Sequence, residues 1–325
     1  KTCTMRRVHV VEQEFTALTE TAGWLDQSDR SRLCLLGTDR VRFLHGQVTN
    51  DINDLGELTG CYAALVNAKG KMESDLFAYR LADEILLDLE PGLSATVQAR
   101  LERYVIAEDV EIADVAPHFG LLTMQGPQAE PILTELDLPA PTEPLTVAQT
   151  EDEIYIVHHP RLGTVGFDLF IPIDAMDTWR ERLATAAPQC QMPAFEKARV
   201  LATIPRFGVD YTTDHLPPEG GLETRAISYA KGCYIGQEII ARIRTYGKVN
   251  KVLRGLTLEG AAAAGDPVLH EGTPVGTLSS VCLEPSAALA IIKRAACEPG
   301  TALSVDTKNG SVPAQVATLP FEKFK

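Results

Sequence analysis

Two rhythms of apolar residues organise the chain. Arg32-Leu-Cys-Leu-Leu, closed by Gly37, has the length and ending of a strand. Beyond it Val41, Phe43-Leu44 and Val48 fall at helical spacing behind a cap at Thr38 or Asp39. Tyr62-Ala-Ala-Leu-Val, Asp75-Leu-Phe-Ala-Tyr-Arg-Leu and Glu84-Ile-Leu-Leu-Asp-Leu are strand-like runs parted by Asn67-Ala-Lys-Gly and Ala82-Asp83 turns, which predicts an antiparallel meander. Val97, Leu101 and Val105, four apart in a polar stretch from Ser94, predict an amphipathic helix on that sheet. The order then partly repeats. Leu121-Leu-Thr-Met reads as a strand, Pro127 to about Leu136 as a helix, Ile154-Tyr-Ile-Val-His and Phe167-Asp-Leu-Phe-Ile as strands, and Ala175 to about Ala186 as a helix, with a Pro-rich connection at Leu138-Pro-Ala-Pro-Thr-Glu-Pro-Leu. This pattern predicts an α+β fold with two related halves rather than a βαβ series. From about residue 251 helical periodicity disappears, and short runs such as Val252-Leu-Arg-Gly-Leu-Thr-Leu alternate with turns, as in a small β-barrel. The expected division is 1–115, 116–250 and 251–325.

Composition narrows the class. The 325 residues are 45% hydrophobic and 23% charged, the profile of a globular protein with two or three cores. Thirty Lys+Arg against 44 Asp+Glu give a net charge of −14 with no strong basic patch, so nucleic acid is not an expected partner. No apolar run approaches the roughly 18 residues that span a bilayer, so no membrane crossing is expected. Val8-His-Val-Val-Glu-Gln-Glu, after Lys1-Thr-Cys-Thr-Met-Arg-Arg, is too short and acidic for a signal-peptide core, although a chain beginning at Lys1 leaves an upstream segment open. Seven cysteines, an odd number scattered along the chain, oppose a disulfide framework, and a reducing cytoplasm is the expected compartment.

Three stretches carry candidate chemistry. In Lys231-Gly-Cys-Tyr-Ile-Gly-Gln-Glu, Cys233 precedes a helix expected to run from near Gly236 to near Gly247. The helix dipole and Lys231 favour its thiolate, and Glu238 opposes it, so Cys233 reads either as a reactive thiol or as a small buried apolar residue. Arg206-Phe-Gly-Val-Asp-Tyr-Thr-Thr-Asp-His-Leu-Pro-Pro-Glu brings Asp210, Asp214 and Glu219 into one loop, a pattern more usual on a solvated surface than in a site. Arg161-Leu-Gly-Thr-Val-Gly-Phe-Asp leads two glycines into a strand whose Asp168 needs either backbone donors or a ligand's N–H groups. No metal is expected: there is no Cys-x-x-Cys, and His158 and His159 point to opposite faces of one strand. Nucleotide-binding glycine loops are missing as well.

Lys231-Gly-Cys-Tyr-Ile-Gly-Gln-Glu resembles the signature of the YgfZ-type folate-binding proteins, relatives of the aminomethyltransferase (T-protein) of glycine cleavage. Phe43-Leu-His-Gly-Gln-Val-Thr-Asn-Asp, Asn67-Ala-Lys-Gly-Lys, Ile204-Pro-Arg-Phe-Gly-Val-Asp and Pro218-Glu agree in order and spacing. The resemblance implies two ferredoxin-like halves and a C-terminal β-barrel arranged as a three-domain ring around tetrahydrofolate or another reduced folate. It implies that Asp168 grips the pterin N–H groups, that Arg199 faces the glutamate tail, and that Asn67 and Asp75 belong to the cofactor site. Cys233 is then the reactive residue.

Two positions depart from the T-protein pattern. Ser74 stands where T-proteins carry the first of two adjacent aspartates, and a hydroxyl is too weak an acid near neutrality to replace it; Phe195 stands where they carry an arginine. Glycine-cleavage aminomethyl transfer is therefore expected to be absent or very slow. The leading expectation is a folate-binding accessory protein for iron–sulfur cluster assembly or repair, meeting iron–sulfur enzymes or assembly proteins transiently, since one thiolate cannot hold a cluster that needs four ligands. The alternatives are a folate-dependent one-carbon transferase or demethylase, and a folate-binding module without chemistry.

Overall fold

The computed structural model describes residues 2–319 and 321, so the expectation at Lys1 lies outside it. In chain order the elements are α1 (Thr2–Glu20), β1 (Gly23–Asp26), β2 (Ser31–Leu36), α2 (Arg40–Gln47), β3 (Thr59–Val66), β4 (Met72–Arg80), β5 (Ile85–Leu89), α3 (Ser94–Glu102), β6 (Glu111–Asp114), β7 (Phe119–Gln125), α4 (Ala129–Glu135), β8 (Val147–Gln149), β9 (Tyr155–His158) and β10 (Gly166–Pro172). They continue with α5 (Met176–Ala186), α6 (Met192–Leu201), α7 (Glu223–Ala226), α8 (Gln237–Tyr246), β11 (Lys251–Leu258), β12 (Pro267–His270), β13 (Thr273–Cys282), β14 (Ala287–Lys293), β15 (Ala302–Thr307) and β16 (Gly310–Val316). Among the described residues no helix is long and apolar enough to cross a membrane.

The strands form two antiparallel sheets, ordered β3-β4-β5-β2-β6 and β1-β7-β10-β9-β8, and a closed barrel β11-β14-β13-β12-β15-β16. This is the mixed α/β architecture with a C-terminal barrel that the apolar pattern predicts. One strand departs from the expected boundary at 115/116: β1 lies early in the chain but pairs with β7, Trp24 opposite Met124. The short run Gly23-Trp-Leu-Asp has no periodicity to announce it. Its register is fixed by burial, since Trp24 packs with Leu122, Met124, Phe167 and Leu169.

By its contacts the chain forms two compact units interleaved in sequence: residues up to 47, 51–63 and 76–198 in the first, and 48–50, 64–75 and 199 onward in the second. In the first unit, Tyr79, Leu86, Leu121, Val157 and Phe170 join the two sheets in one apolar cluster, so any polar side chain between those sheets must find its partners there. The second unit contains the barrel, whose interior holds Leu256, Val268, Leu278, Ile292 and Val305, each nearly or fully buried. Each such side chain contributes about 1.5–3 kcal/mol. Strand alternation also separates the adjacent Ser74 and Asp75 onto opposite faces of β4. The serine is fully buried, and its Oγ donates to the Asp75 carbonyl at 2.7 Å.

Candidate functional site

In the second unit several of the motifs quoted from the sequence meet, and a glycine explains how. Gly236 caps α8 with φ of 83°, and a Cβ there would collide with the Asn67 carbonyl oxygen and approach Val66 Cγ2 at 2.9 Å. The N-terminus of α8 thus rests on the Asn67 turn, which Asn67 itself holds by accepting from the Lys69 and Lys71 amides at 2.9 and 3.2 Å. Lys71 Nζ reaches the Asp214 carbonyl at 2.6 Å, and Met72 donates from its amide to the His215 carbonyl at 2.9 Å, which ties the turn to the 206–222 loop. Cys233 is exposed, whereas Cys34, Cys190, Cys282 and Cys297 are buried. Lys231 Nζ donates to the carbonyls of Val48 and Asn50 at 2.7 and 2.8 Å and lies 4.9 Å from the Tyr234 ring centre.

The acidic loop is not the solvated surface expected of it. Asp214 is exposed, but Asp210 and Glu219 are buried. Asp210 accepts from Arg199 Nη1 at 2.7 Å, the Arg206 amide at 3.0 Å, Ser279 Oγ at 2.6 Å and Ser280 Oγ at 2.7 Å. Arg199 is 1% exposed and also donates to the Ile204 carbonyl and Ser280 Oγ. It is therefore an internal partner of Asp210. Asp75, 8% exposed, accepts from the Tyr211 hydroxyl at 2.5 Å.

The first unit holds a different cluster between its sheets. Asp168 on β10 is completely buried, and its partners are side chains rather than the backbone donors considered from the sequence. Arg161 Nε donates to both of its oxygens at 2.9 Å and Nη2 to Oδ2 at 2.5 Å, while His159 Nδ1 lies 2.9 Å from Oδ2. Arg161 Nη2 also reaches Asp88 Oδ2 at 2.6 Å, and Asp88 is held in turn by Arg30 at 2.8 and 3.1 Å. Burial alone would raise the Asp168 carboxyl, but Arg161 and His159 outweigh it and hold it well below the usual carboxylate range. Burial, reinforced by Arg161, pushes His159 down to about 4, so the ring is neutral and its contact with Asp168 is a hydrogen bond, not an ion pair. Tyr79 Oη lies 3.0 Å from the same Nδ1.

Asp88, His159 and Asp168 place ligand atoms within 4.8 Å of one another, a set the sequence did not suggest because Asp88 lies far from the other two in the chain. Arg161 Nη2 bridges both carboxylates and supplies, as a guanidinium that does not deprotonate, the positive charge a metal would bring. Asp88 and Arg161 are the functional candidates that sequence reasoning missed; a lone acid inside the apolar run Ile85–Leu89 was the available signal. Around this cluster the half-buried Phe77 ring stacks on Tyr62 at 4.6 Å, meets His159 edge-on at 4.2 Å and has the Arg161 guanidinium 5.9 Å from its centre. Phe195 is an apolar core residue beside Leu18, Leu25 and Cys190.

The chain is similar to an aminomethyltransferase of Synechococcus sp. (strain CC9902), 30% identical over 331 residues that cover 96% of this chain and 90% of the relative. An aminomethyltransferase of Staphylococcus haemolyticus (strain JCSC1435) is 27% identical over 322 residues, 94% of this chain and 88% of that one. The crystal structure of glycine cleavage system aminomethyltransferase T from Bartonella henselae shares the fold with a TM-score of 0.88 at 21% identity, covering 97% of this chain and 90% of the other. Residues 4–231 match the GCVT N-terminal domain and residues 251–323 the glycine cleavage T-protein C-terminal barrel domain, so from the first sheet to the last barrel strand this chain belongs to the glycine cleavage T-protein family.

Proposed function

We propose that the protein binds a reduced folate and moves a one-carbon unit between it and an amine. The end-to-end kinship with proteins named aminomethyltransferase carries this reading, and it displaces iron–sulfur assembly as the leading expectation. The chain's own residues fit a pterin, which offers a flat face and N–H donors. Phe77 is a half-buried aromatic ring in a cluster with Tyr62 and His159, and Gln125 Oε1, across the ladder from Gly166, is a buried acceptor with no hydrogen-bond partner. Asp168 does not fit as the direct grip, because Arg161 and His159 enclose it; its part is to hold those two side chains in place. Arg199 does not fit the glutamate tail, for the reason given by Asp210. Bound tetrahydrofolate would supply the nitrogens that carry the one-carbon unit. Asn67 shapes the turn beside α8, and Asp75 is the acid left for proton work once Ser74 has replaced its neighbour.

The test is tetrahydrofolate binding together with one-carbon transfer from a panel of methylated and aminomethylated amines. Saturable binding and transfer that Asp75→Asn slows to a small but measurable rate are expected, with the aminomethylated lipoyl carrier turned over more slowly than about 1 s⁻¹ because of Ser74. No folate binding would end the proposal. A second reading, transient handling of iron–sulfur chemistry by Cys233, is favoured by one observation: that residue alone among the cysteines whose side chains are described is exposed. Cys233→Ala that keeps folate binding but loses iron–sulfur enzyme activity in cells would support it.

A further inference from the structure

We propose that Tyr211 is the positioning residue of the Asp75 carboxylate, an inference that rests on the one-carbon reading above. Its phenol donates to Asp75 Oδ2 at 2.5 Å across 136 residues of sequence, a length in the range of a charge-assisted O–H···O⁻ bond. Tyr211 itself cannot wander. It is fully buried, its ring meets Phe207 edge-on at 5.8 Å, and a methyl group on Gly220 would lie 3.1 Å from its Cγ, so backbone packs directly on the ring. Its carbonyl accepts from the Gly208 amide at 2.8 Å, and the preceding residue is Asp210, fixed by Arg199 and two serine hydroxyls.

Asp210 thereby acquires a purpose. Asp210 anchors the chain one residue before a phenol that must point in one direction, and that direction is Asp75. A carboxylate held by a rigid donor keeps its plane, so an acceptor for a substrate proton stays oriented without reorganisation during reaction. Ser74 makes this matter. In a chain with two adjacent acids the loss of one orientation is shared; here the neighbour of Asp75 is a serine, on the opposite face of β4.

A double-mutant cycle on the full chain tests the inference, with Tyr211→Phe, Asp75→Asn and the pair, reading tetrahydrofolate affinity, kcat of one-carbon transfer and the unfolding midpoint. The expected result is a kcat lowered by about 10- to 150-fold in Tyr211→Phe, the range for a hydrogen bond to a charged group, with folate affinity nearly unchanged and no further loss when the same change is made in Asp75→Asn. Incorporating 3-fluorotyrosine at 211, which keeps the shape and strengthens the donor, is expected to shift the pH profile of kcat, a response that a packing role alone would not give. Independent, multiplicative losses in the cycle with an unshifted profile overturn the inference while leaving the folate reading intact. A wild-type protein that binds no folate overturns both.

Discussion

Each unit of this molecule buries an arginine on an aspartate, and the two pairs are built differently. Around Asp210 donors and acceptors match: four donors surround one carboxylate, and Arg199 also donates to the Ile204 carbonyl and Ser280 Oγ. Around Asp168 they do not. Two carboxylates share Arg161, a neutral histidine stands beside them, and Gln125 Oε1 is an acceptor without a donor. A closed pair of this kind fixes a loop, whereas an open cluster with an unmet acceptor and a half-buried aromatic ring is suited to take up a ligand. Burial by itself does not separate structural from functional charge; the state of the hydrogen-bond partners does.

The largest effect that could break this contrast is on stability. Asp210→Ala leaves Arg199 buried and unpaired and is expected to cost about 3–5 kcal/mol in chemical unfolding, while Arg199→Met combined with Asp210→Leu should recover much of that loss. A next measurement concerns pH. With His159 held near 4 in the folded protein against an ordinary 6.5, the unfolded chain binds more protons between those values, so stability falls as pH drops from about 6.5 toward 4, by about 3 kcal/mol if the whole shift is expressed. Below the ordinary carboxylate value the depressed Asp168 and Asp88 add to the loss in the same direction. His159→Gln is expected to flatten the upper part of that decline, and an unchanged slope would mean the ring is not neutral.

Smaller effects sharpen the picture of the second unit. Gly236→Ala meets both a left-handed backbone and the Asn67 carbonyl and is expected to cost about 1–3 kcal/mol. Gly208→Ala, at φ of 81° but with nothing within 4 Å, should cost less, and equal costs would show that the approach of α8 to the Asn67 turn is not tight. The smallest signal is chemical. Cys233, being exposed, is expected to be alkylated by iodoacetamide well before Cys190, whose thiol burial pushes up to about 12, and before Cys34, raised by burial and by Glu84. Peptide mass spectrometry over a pH series would detect the reverse order.

Where apolar periodicity was strong, the fold was legible in the chain: the meander β3–β5, the helix α8 between Gly236 and Gly247, and the barrel from residue 251 all stand where the pattern placed them. Segments whose structure depends on distant partners were not. Strand β1 is defined by Met124 and Leu122, α1 and α6 by their mutual packing around Cys190 and Phe195, and none of these contacts is written in local spacing. The candidate residues divided in the same way. Asp168, Asp75 and Asp210 stand out as acids in apolar or glycine-rich settings, but that Asp168 is neutralised by Arg161 and Asp210 by Arg199 depends on arginines whose direction no sequence rule supplies.

The contrast between the two pairs is tested most directly by calorimetric titration of tetrahydrofolate into the wild type, Asp168→Asn and Asp210→Asn under conditions where all three are folded. The account predicts saturable binding by the wild type, weakening by about 1.5–3 kcal/mol in Asp168→Asn as Arg161 and His159 lose their anchor, and wild-type affinity in Asp210→Asn despite its lower stability. Equal affinity in wild type and Asp168→Asn, or a loss confined to Asp210→Asn, would contradict it.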